Sequence, residues 1–305
     1  MHRFARGLTA VTISLTAGGI AWAQAGAPVA GAATAVAATP MAATAAVAAP
    51  DTIAVGDYKV QAAIAGSGRY TVIFESGFGS GMGSWRQVAP QVAKSARVLT
   101  YARAGAGASD PRPQPRTILQ SSEELDQLLA AAKLGPPFIL VGHSYGGLLA
   151  RAFAARHPGW VAGMVLVDPA DERFNPALRK LDAARAAADD KQFAAIVPAK
   201  FQPELQQLQP VLDSGVFPVA GKLPDVPVVV LTSVQQADKP EFFLQTPPAV
   251  AIKRELHADF LRQFSAGSQV VTASSGHNIQ QEQPELVIAA VNQVIAAADK
   301  RAGRN

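Results

Sequence analysis

From Asp51 onward, short runs of β-branched and aromatic residues alternate with longer segments of helical periodicity. This alternation is typical of β-α-β units, in which helices cover both faces of a mostly parallel sheet. The sequence therefore predicts an α/β fold with a mostly parallel sheet flanked by helices. The expected strands are residues 58–64, 70–75, 97–101, 138–141, 161–167, 226–231 and 269–272.

The helical segments add two expectations. A helix over residues 121–133 is predicted from a capping box, because Ser121 precedes Glu124 by three positions. Residues of about 170–224 contain no strand pattern, and their Ala-, Leu- and Gln-rich stretches are interrupted by prolines. We expect this insertion to form a short helical cap on a domain that spans residues 51–305.

The N-terminal residues have the pattern of an export signal. His2, Arg3 and Arg6 precede an apolar run over residues 8–21, and Ala21-Trp22-Ala23 predicts cleavage before Gln24. The alternative is an uncleaved anchor, but the run is shorter than the roughly 20 residues that span a bilayer. We expect residues 1–23 to be a signal peptide and the protein to be periplasmic or secreted. Residues 24–50, nearly all Ala, Thr, Pro, Gly and Val, predict a flexible segment.

Composition excludes several kinds of chemistry. The chain has no cysteine, so disulfides, thiolate metal sites and cysteine nucleophiles are ruled out. Without the two leader arginines, 25 basic side chains face 23 acidic ones, which disfavours nucleic acid as a partner. No segment after the leader predicts a membrane span. Catalysis would depend on oxygen or nitrogen groups, and we expect no metal and no cofactor.

One motif predicts a nucleophile. Residues 142–146 read Gly-His-Ser-Tyr-Gly, directly after a buried-strand pattern and directly before a helical one. A strand that turns sharply into a helix raises the central side chain above the sheet, and the glycines provide room for the turn. The amides at the start of the helix point to the same place. The pattern predicts Ser144 as the nucleophile.

A serine nucleophile needs a base, and the chain order serine, acid, histidine places that base in the last loop before the final helix. Ser275-Gly276-His277 lies there, before Pro284 opens the helix. The sequence therefore predicts His277 as the base. Of the other histidines, His2 lies in the leader, and structural roles are expected for the rest, His143, His157 and His257. His143 is expected to point away along the turn.

An oxyanion hole requires two backbone amides. The residue after the nucleophile, Tyr145, supplies one. A glycine-rich loop over residues 75–81 follows the strand at 70–75, and its close approach predicts the Phe78 amide as the second donor. A plain flexible loop is the alternative interpretation.

Together these residues resemble the α/β-hydrolase superfamily, and specifically an esterase-like bacterial branch with Glu-Ser-Gly in the oxyanion loop. The resemblance covers residues from about 55 to 298. The matching stretches are residues 72–78, Trp85, and residues 101–110, 141–147, 165–169 and 275–284. One departure is Ala102, where the branch usually has Asp before the arginine, and we expect a weaker local ion pair at Arg103.

Two carboxylates compete for the third position of a triad. Asp168 follows the strand at 161–167 and so stands at the carboxyl edge of the sheet, whereas Asp238 lies in a later loop. The superfamily commonly takes its acid after the later strand, but the resembled branch usually keeps the residue that matches Asp168. We favour Asp168 and retain Asp238 as the alternative.

The sequence thus predicts a secreted serine hydrolase, most simply a carboxylesterase that forms an acyl-enzyme on a small-molecule ester. Other acyl or C–C bond hydrolysis on the same triad is an alternative, as is a non-catalytic binding protein with the same fold. Four cap phenylalanines suggest an apolar lining, although core packing also explains such residues. They are Phe174, Phe193, Phe201 and Phe217.

Overall fold

A computed structural model describes residues 50–112 and 116–303 of the chain. The predicted signal peptide and nearly all of the segment at 24–50 lie outside the described residues. The described strands form one eight-stranded sheet in the order β1-β2-β4-β3-β5-β6-β7-β8. In chain order they are β1 (Asp51–Val55), β2 (Tyr58–Ala65), β3 (Thr71–Glu75), β4 (Arg97–Tyr101), β5 (Phe138–His143), β6 (Val161–Val167), β7 (Val228–Ser233) and β8 (Gly267–Thr272).

The sheet is parallel from β4 through β8, and β1 and β2 add an antiparallel edge. Helices pack on both of its faces. The helices are α1 (Ala89–Val92), α2 (Ile118–Ala131), α3 (Tyr145–Arg156), α4 (Phe174–Leu181), α5 (Ala183–Ile196), α6 (Gln202–Ser214), α7 (Pro247–Leu261), α8 (Ile279–Glu282) and α9 (Pro284–Arg301). The predicted α/β fold class is therefore confirmed.

The central strand β5 shows why its sequence is a continuous apolar run. Phe138 and Leu140 enter the core beneath α2, α3 and α7, whereas Ile139 and Val141 enter the core beneath α1 and α9. Alternate side chains of a strand point to opposite faces, so a strand covered on both faces needs apolar residues at every position. This packing fixes the carboxyl end of β5, where the Gly-His-Ser-Tyr-Gly motif follows.

Two local predictions need correction. The strand β1 was not predicted, because it pairs only with β2 at the edge of the sheet and most of its residues are exposed or half-buried. The helix predicted at 121–133 begins earlier, at Ile118, and the capping box is formed by Thr117 and Gln120 rather than by Ser121 and Glu124. The Thr117 hydroxyl accepts the Gln120 amide at 3.2 Å, and the Gln120 side chain accepts the Thr117 amide at 3.0 Å.

Between β6 and β7, the structure contains the helices α4, α5 and α6 and no strand. They follow the carboxyl end of β6, the edge of the sheet at which the functional candidates meet. In the described part of the chain, no helix is both long and apolar enough to cross a membrane.

Candidate active site

Ser144 occupies a strained turn between β5 and α3. Its backbone has φ 52° and ψ −120°, a conformation that few non-glycine residues adopt. The chain can turn this tightly only because its neighbours lack side chains. A Cβ on Gly142 would lie 2.5 Å from Gly146 O, and one on Gly146 would lie 2.2 Å from Glu75 O. The turn leaves Ser144 half-buried at the start of α3.

Asp168 immediately follows β6 and is 1% exposed. Its Oδ1 accepts the Ser233 amide at 3.0 Å, and its Oδ2 lies 2.7 Å from His277 Nδ1. Burial alone would raise the pKa of this carboxyl. The hydrogen bond to His277 and the nearby Lys253 ammonium outweigh burial and hold the pKa of Asp168 well below its usual range. Asp168 is therefore an ionised, buried carboxylate that orients the imidazole.

His277 lies in the loop between β8 and α8, and its side chain is 53% exposed. Because an ionised carboxylate accepts hydrogen bonds, Nδ1 carries the proton in the pair with Asp168. This tautomer leaves the lone pair on Nε2, the nitrogen that can take a proton. The structure thus brings the predicted base and one of the two predicted acids into direct contact.

Asp238, the alternative acid, lies on the exposed loop after β7. The nitrogen of His277 that a triad acid would hold is already paired with Asp168 at 2.7 Å. The geometry therefore favours Asp168 over Asp238 as the partner of the imidazole.

His143 differs from its expected orientation. Instead of pointing away along the turn, its ring lies 4.7 Å from the His277 ring, measured between centroids. His143 Nε2 donates to the His277 carbonyl oxygen at 3.0 Å. Burial, together with the nearby His277, lowers the pKa of His143 to about 3. His143 is therefore a neutral side chain that supports the base, which agrees with the structural role expected for it.

The two segments predicted to supply oxyanion amides both border Ser144. Tyr145 is the first residue of α3. The loop with Phe78 follows β3 and approaches so closely that a Cβ on Gly77 would lie 2.9 Å from His143 Nδ1 and 3.5 Å from Ser144 Cβ. The arrangement places two chain segments with amides next to the candidate nucleophile.

Arg103 secures this loop, a contact that the sequence analysis did not foresee. Its guanidinium donates to Ser76 O at 2.7 Å and to Gly77 O at 2.8 Å, and the side chain is 6% exposed. Ala102 offers Arg103 no charged partner. The guanidinium instead lies 3.7 Å from both Glu75 and Glu204. Burial opposes the charge, but Glu204 and Glu75 outweigh it and raise the pKa of Arg103.

The position of Glu75 was a sequence signal for this contact. It ends a buried strand, and a buried carboxylate requires a cation or a donor nearby. Glu75 is 1% exposed, and the Tyr101 hydroxyl also donates to it. Glu204 lies on helix α6, so Arg103 links the loop that carries Phe78 to the helices between β6 and β7.

Lys253 is the second residue that the sequence analysis missed. It lies on α7, and its Nζ is 2.9 Å from Asp168 Oδ2, the oxygen that also accepts His277 Nδ1. No motif singles out a lysine within a helix, and 85 residues separate it from Asp168. The contact depends on how α7 packs beside β7 and β8.

Two of the four phenylalanines predicted in the cap lie beside the loop that carries Phe78. The Phe78 ring is 6.3 Å from Phe193 and 6.0 Å from Phe201, measured between centroids. The other two pack elsewhere, since Phe217 lies against the Arg151 guanidinium and Phe174 against the cluster of Leu178, Phe243 and Ala249. An apolar surface therefore borders the site at Phe78.

Within residues 50–112 and 116–303, no group of three or more His, Asp or Glu side chains could hold a metal ion.

Comparison with known proteins gives the family context. Residues 70–210 match the family model for the alpha/beta hydrolase fold. The uncharacterized protein YqjL of Bacillus subtilis is 28% identical over 245 residues, which cover 78% of this chain and 88% of that protein.

Solved structures share the fold at low sequence identity. A candidate lipase from Acinetobacter baumannii has a TM-score of 0.60 and 18% identity, covering 83% of this chain and 92% of that one. A thermophilic esterase from Thermogutta terrifontis has a TM-score of 0.53 and 21% identity, covering 82% and 99%. These structures confirm the fold, and the family model supports the resemblance to the α/β-hydrolase superfamily over residues 70–210.

Proposed function

We propose that this chain, which has the α/β-hydrolase fold, is a serine hydrolase of the carboxylesterase type. The observation that carries the proposal is the 2.7 Å pair between His277 Nδ1 and the buried carboxylate of Asp168, next to the strained turn at Ser144. An oriented imidazole beside a serine on such a turn is the arrangement that activates a hydroxyl for acyl transfer.

The proposed reaction proceeds in two halves. In the first, His277 Nε2 takes the proton of Ser144 Oγ as the oxygen attacks the ester carbonyl, and the imidazolium then protonates the leaving alcohol. In the second, His277 takes a proton from water, the resulting hydroxide attacks the acyl-enzyme, and Ser144 regains its proton. Asp168 stabilises the positive imidazole in both halves.

Negative charge develops on the carbonyl oxygen in each half. The Phe78 and Tyr145 amides are the proposed donors to that oxygen, and each such donor typically contributes about 3 kcal/mol to the barrier reduction. Arg103 supports this role indirectly, because its bonds to Ser76 O and Gly77 O fix the loop that carries Phe78. The loop sequence Glu75-Ser76-Gly77 supports the assignment to the esterase-like branch.

The substrate proposed is a small ester with an apolar acyl or alcohol group. Phe78, Phe193 and Phe201 form the apolar surface beside the oxyanion loop, and a ligand group bound there would bury apolar area. The leader-like residues 1–23 support export, so the proposed enzyme acts in the periplasm or the medium. Mass spectrometry of the exported protein tests this proposal, and Gln24 is expected to be its first residue.

The deciding experiment is covalent labelling. A fluorophosphonate probe is expected to label the protein on Ser144, and Ser144→Ala is expected to lose both labelling and turnover of p-nitrophenyl esters with little change in Tm. Labelling that persists in Ser144→Ala contradicts the proposal. A protein that binds esters without being labelled would instead be a non-catalytic binding protein. Hydrolysis of C–C bonds or amides in preference to esters would favour the alternative of other acyl or C–C bond hydrolysis on the same triad.

A further inference from the structure

The carboxylate of Asp168 has two cationic or potentially cationic partners on a single oxygen. His277 Nδ1 lies 2.7 Å from Oδ2, and Lys253 Nζ lies 2.9 Å from the same atom. The Lys253 side chain is only 21% exposed and Asp168 is 1% exposed, so solvent screens the pair between Lys253 and Asp168 weakly, whereas the His277 side chain is 53% exposed. A lysine on the orienting acid of a triad is not required by the proposed reaction.

Charge accounting shows what the ammonium does. While His277 is neutral, Lys253 and Asp168 form a pair without net charge. When His277 gains a proton, the imidazolium shares one carboxylate oxygen with an ammonium of the same sign. Like charges at this range disfavour the protonated form. Without Lys253, the carboxylate of Asp168 would stabilise the imidazolium without a competing ammonium on the same oxygen.

We propose that Lys253 is a positioning residue that holds Asp168 Oδ2 in place and sets the pH at which His277 becomes available as a base. In the unaltered protein it keeps the imidazole neutral, and hence able to accept the Ser144 proton, at a lower pH than Asp168 alone would allow. This inference rests on the proposed function, and it adds a determinant of the working pH range.

Other groups around His277 do not substitute for this effect. The titratable groups that face His277 or its carboxylate are Asp168, Lys253, His143, His257 and Glu282. Burial lowers the pKa of both His143 and His257, which favours the neutral form of each. Glu282, on α8, accepts the Gly276 amide at 2.7 Å and is retained in every Lys253 variant. Lys253 is thus the one cation among these groups.

The adjacent residue provides a matched control. Arg254 lies on the same helix, is exposed, and carries the same charge as Lys253. Lys253→Met and Arg254→Met each remove one positive charge from α7, but only the first removes it from Asp168. Lys253→Arg retains the charge, and Lys253→Gln is a second neutral variant in case Lys253→Met does not fold.

The first measurement is kcat/KM for p-nitrophenyl butyrate as a function of pH. In Lys253→Met, the acidic limb of the profile is expected to move to higher pH by about one unit, the scale of shift that a neighbouring charge produces. Lys253→Arg is expected to return the limb towards its original position, and Arg254→Met is expected to leave it unchanged. A limb that does not move in either neutral variant of Lys253, or that moves equally in Arg254→Met, overturns the inference.

The second measurement needs no catalysis. In a Ser144→Ala background, the NMR signal of the His277 imidazole, identified by its loss in His277→Asn, is followed through a pH titration. Lys253→Met is expected to shift its midpoint upward by about one pH unit. No shift refutes the role of Lys253. If the shift occurs while the Ser144-containing protein hydrolyses no ester, the proposed function fails and the charge coupling stands.

Discussion

His143 Nε2 lies 3.0 Å from the carbonyl oxygen of His277, so the residue before the candidate nucleophile holds the backbone of the candidate base. The bond requires a proton on Nε2, because a carbonyl oxygen only accepts. His143 is 3% exposed, and Nδ1 has no hydrogen-bond partner among the described residues. The support is therefore a neutral imidazole in a dry position, and protonation would disturb it.

Stability is expected to fall on mild acidification because of this residue. Burial lowers the pKa of His143 to about 3 in the folded chain, against an ordinary value of 6.5. Below pH 6.5 the unfolded chain binds a proton that the folded chain excludes, so the free energy of unfolding decreases as pH falls from about 6.5 towards 3. Between pH 7 and pH 4 we expect a loss on the order of a few kcal/mol, measured by urea unfolding.

His143→Asn provides the comparison. The loss of stability between pH 7 and pH 4 is expected to be smaller in this variant, whatever its stability at pH 7. His257 contributes in the same direction in both proteins, because burial also lowers its pKa. Asp168 also stabilises the folded chain, because its pKa is lowered on folding. That stabilisation is lost mainly as pH falls below the ordinary value of 3.8, which lies below the range between pH 7 and pH 4. Equal losses in the two proteins would exclude His143 as the cause.

The two candidate acids are separated by amide substitution. Asp168→Asn removes the charge that stabilises the imidazolium and allows the wrong tautomer, so kcat is expected to fall by roughly three to four decades. Asp238→Asn is expected to lose less than about one decade, because Asp238 is on an exposed loop. Steady-state kinetics with p-nitrophenyl esters measure both, and circular dichroism checks that each variant folds. The reverse ranking would assign the acid to the later loop.

The sequence could single out Ser144 and His277 as candidates because their signals can be read along the chain without the fold. Glycine spacing defines the turn at Ser144, and chain order places a histidine after the last strand. The contacts of Arg103 and Lys253 depend instead on how separate elements pack, across 26 and 85 residues respectively for their bonds to Gly77 and Asp168. No periodicity or spacing identifies Arg103 or Lys253 as the partner, although a carboxylate that ends a buried strand, Glu75, indicates that a cation lies nearby. The edge strand β1 was not predicted because most of its residues are exposed, so its sequence lacks the apolar alternation that indicates a strand.

Arg103 is expected to influence turnover through the loop rather than through substrate. Arg103→Lys keeps a positive charge, but an ammonium lacks the planar fork that reaches Ser76 O and Gly77 O together. We expect kcat to fall about 10- to 100-fold with a smaller change in KM, because the amide of Phe78 would lose its fixed position. Arg112→Lys, at a more exposed ion pair with Asp57, is the control and is expected to change kcat little. A kcat within about two-fold of the original for Arg103→Lys would contradict the proposed support.

The close approach of Gly77 to the nucleophile can be tested by adding one methyl group. A Cβ at Gly77 would lie 2.9 Å from His143 Nδ1, and His143 is buried against His277 and cannot swing aside. In Gly77→Ala the loop must therefore retreat and take the Phe78 amide with it, so kcat is expected to fall by at least about 10-fold. Gly83→Ala is the matched control in the same region, because a Cβ at Gly83 meets no atom within 4 Å. Rates of fluorophosphonate labelling should follow the same order as kcat, and a Gly77→Ala protein that labels and turns over as fast as Gly83→Ala would show that the loop does not supply the oxyanion donor.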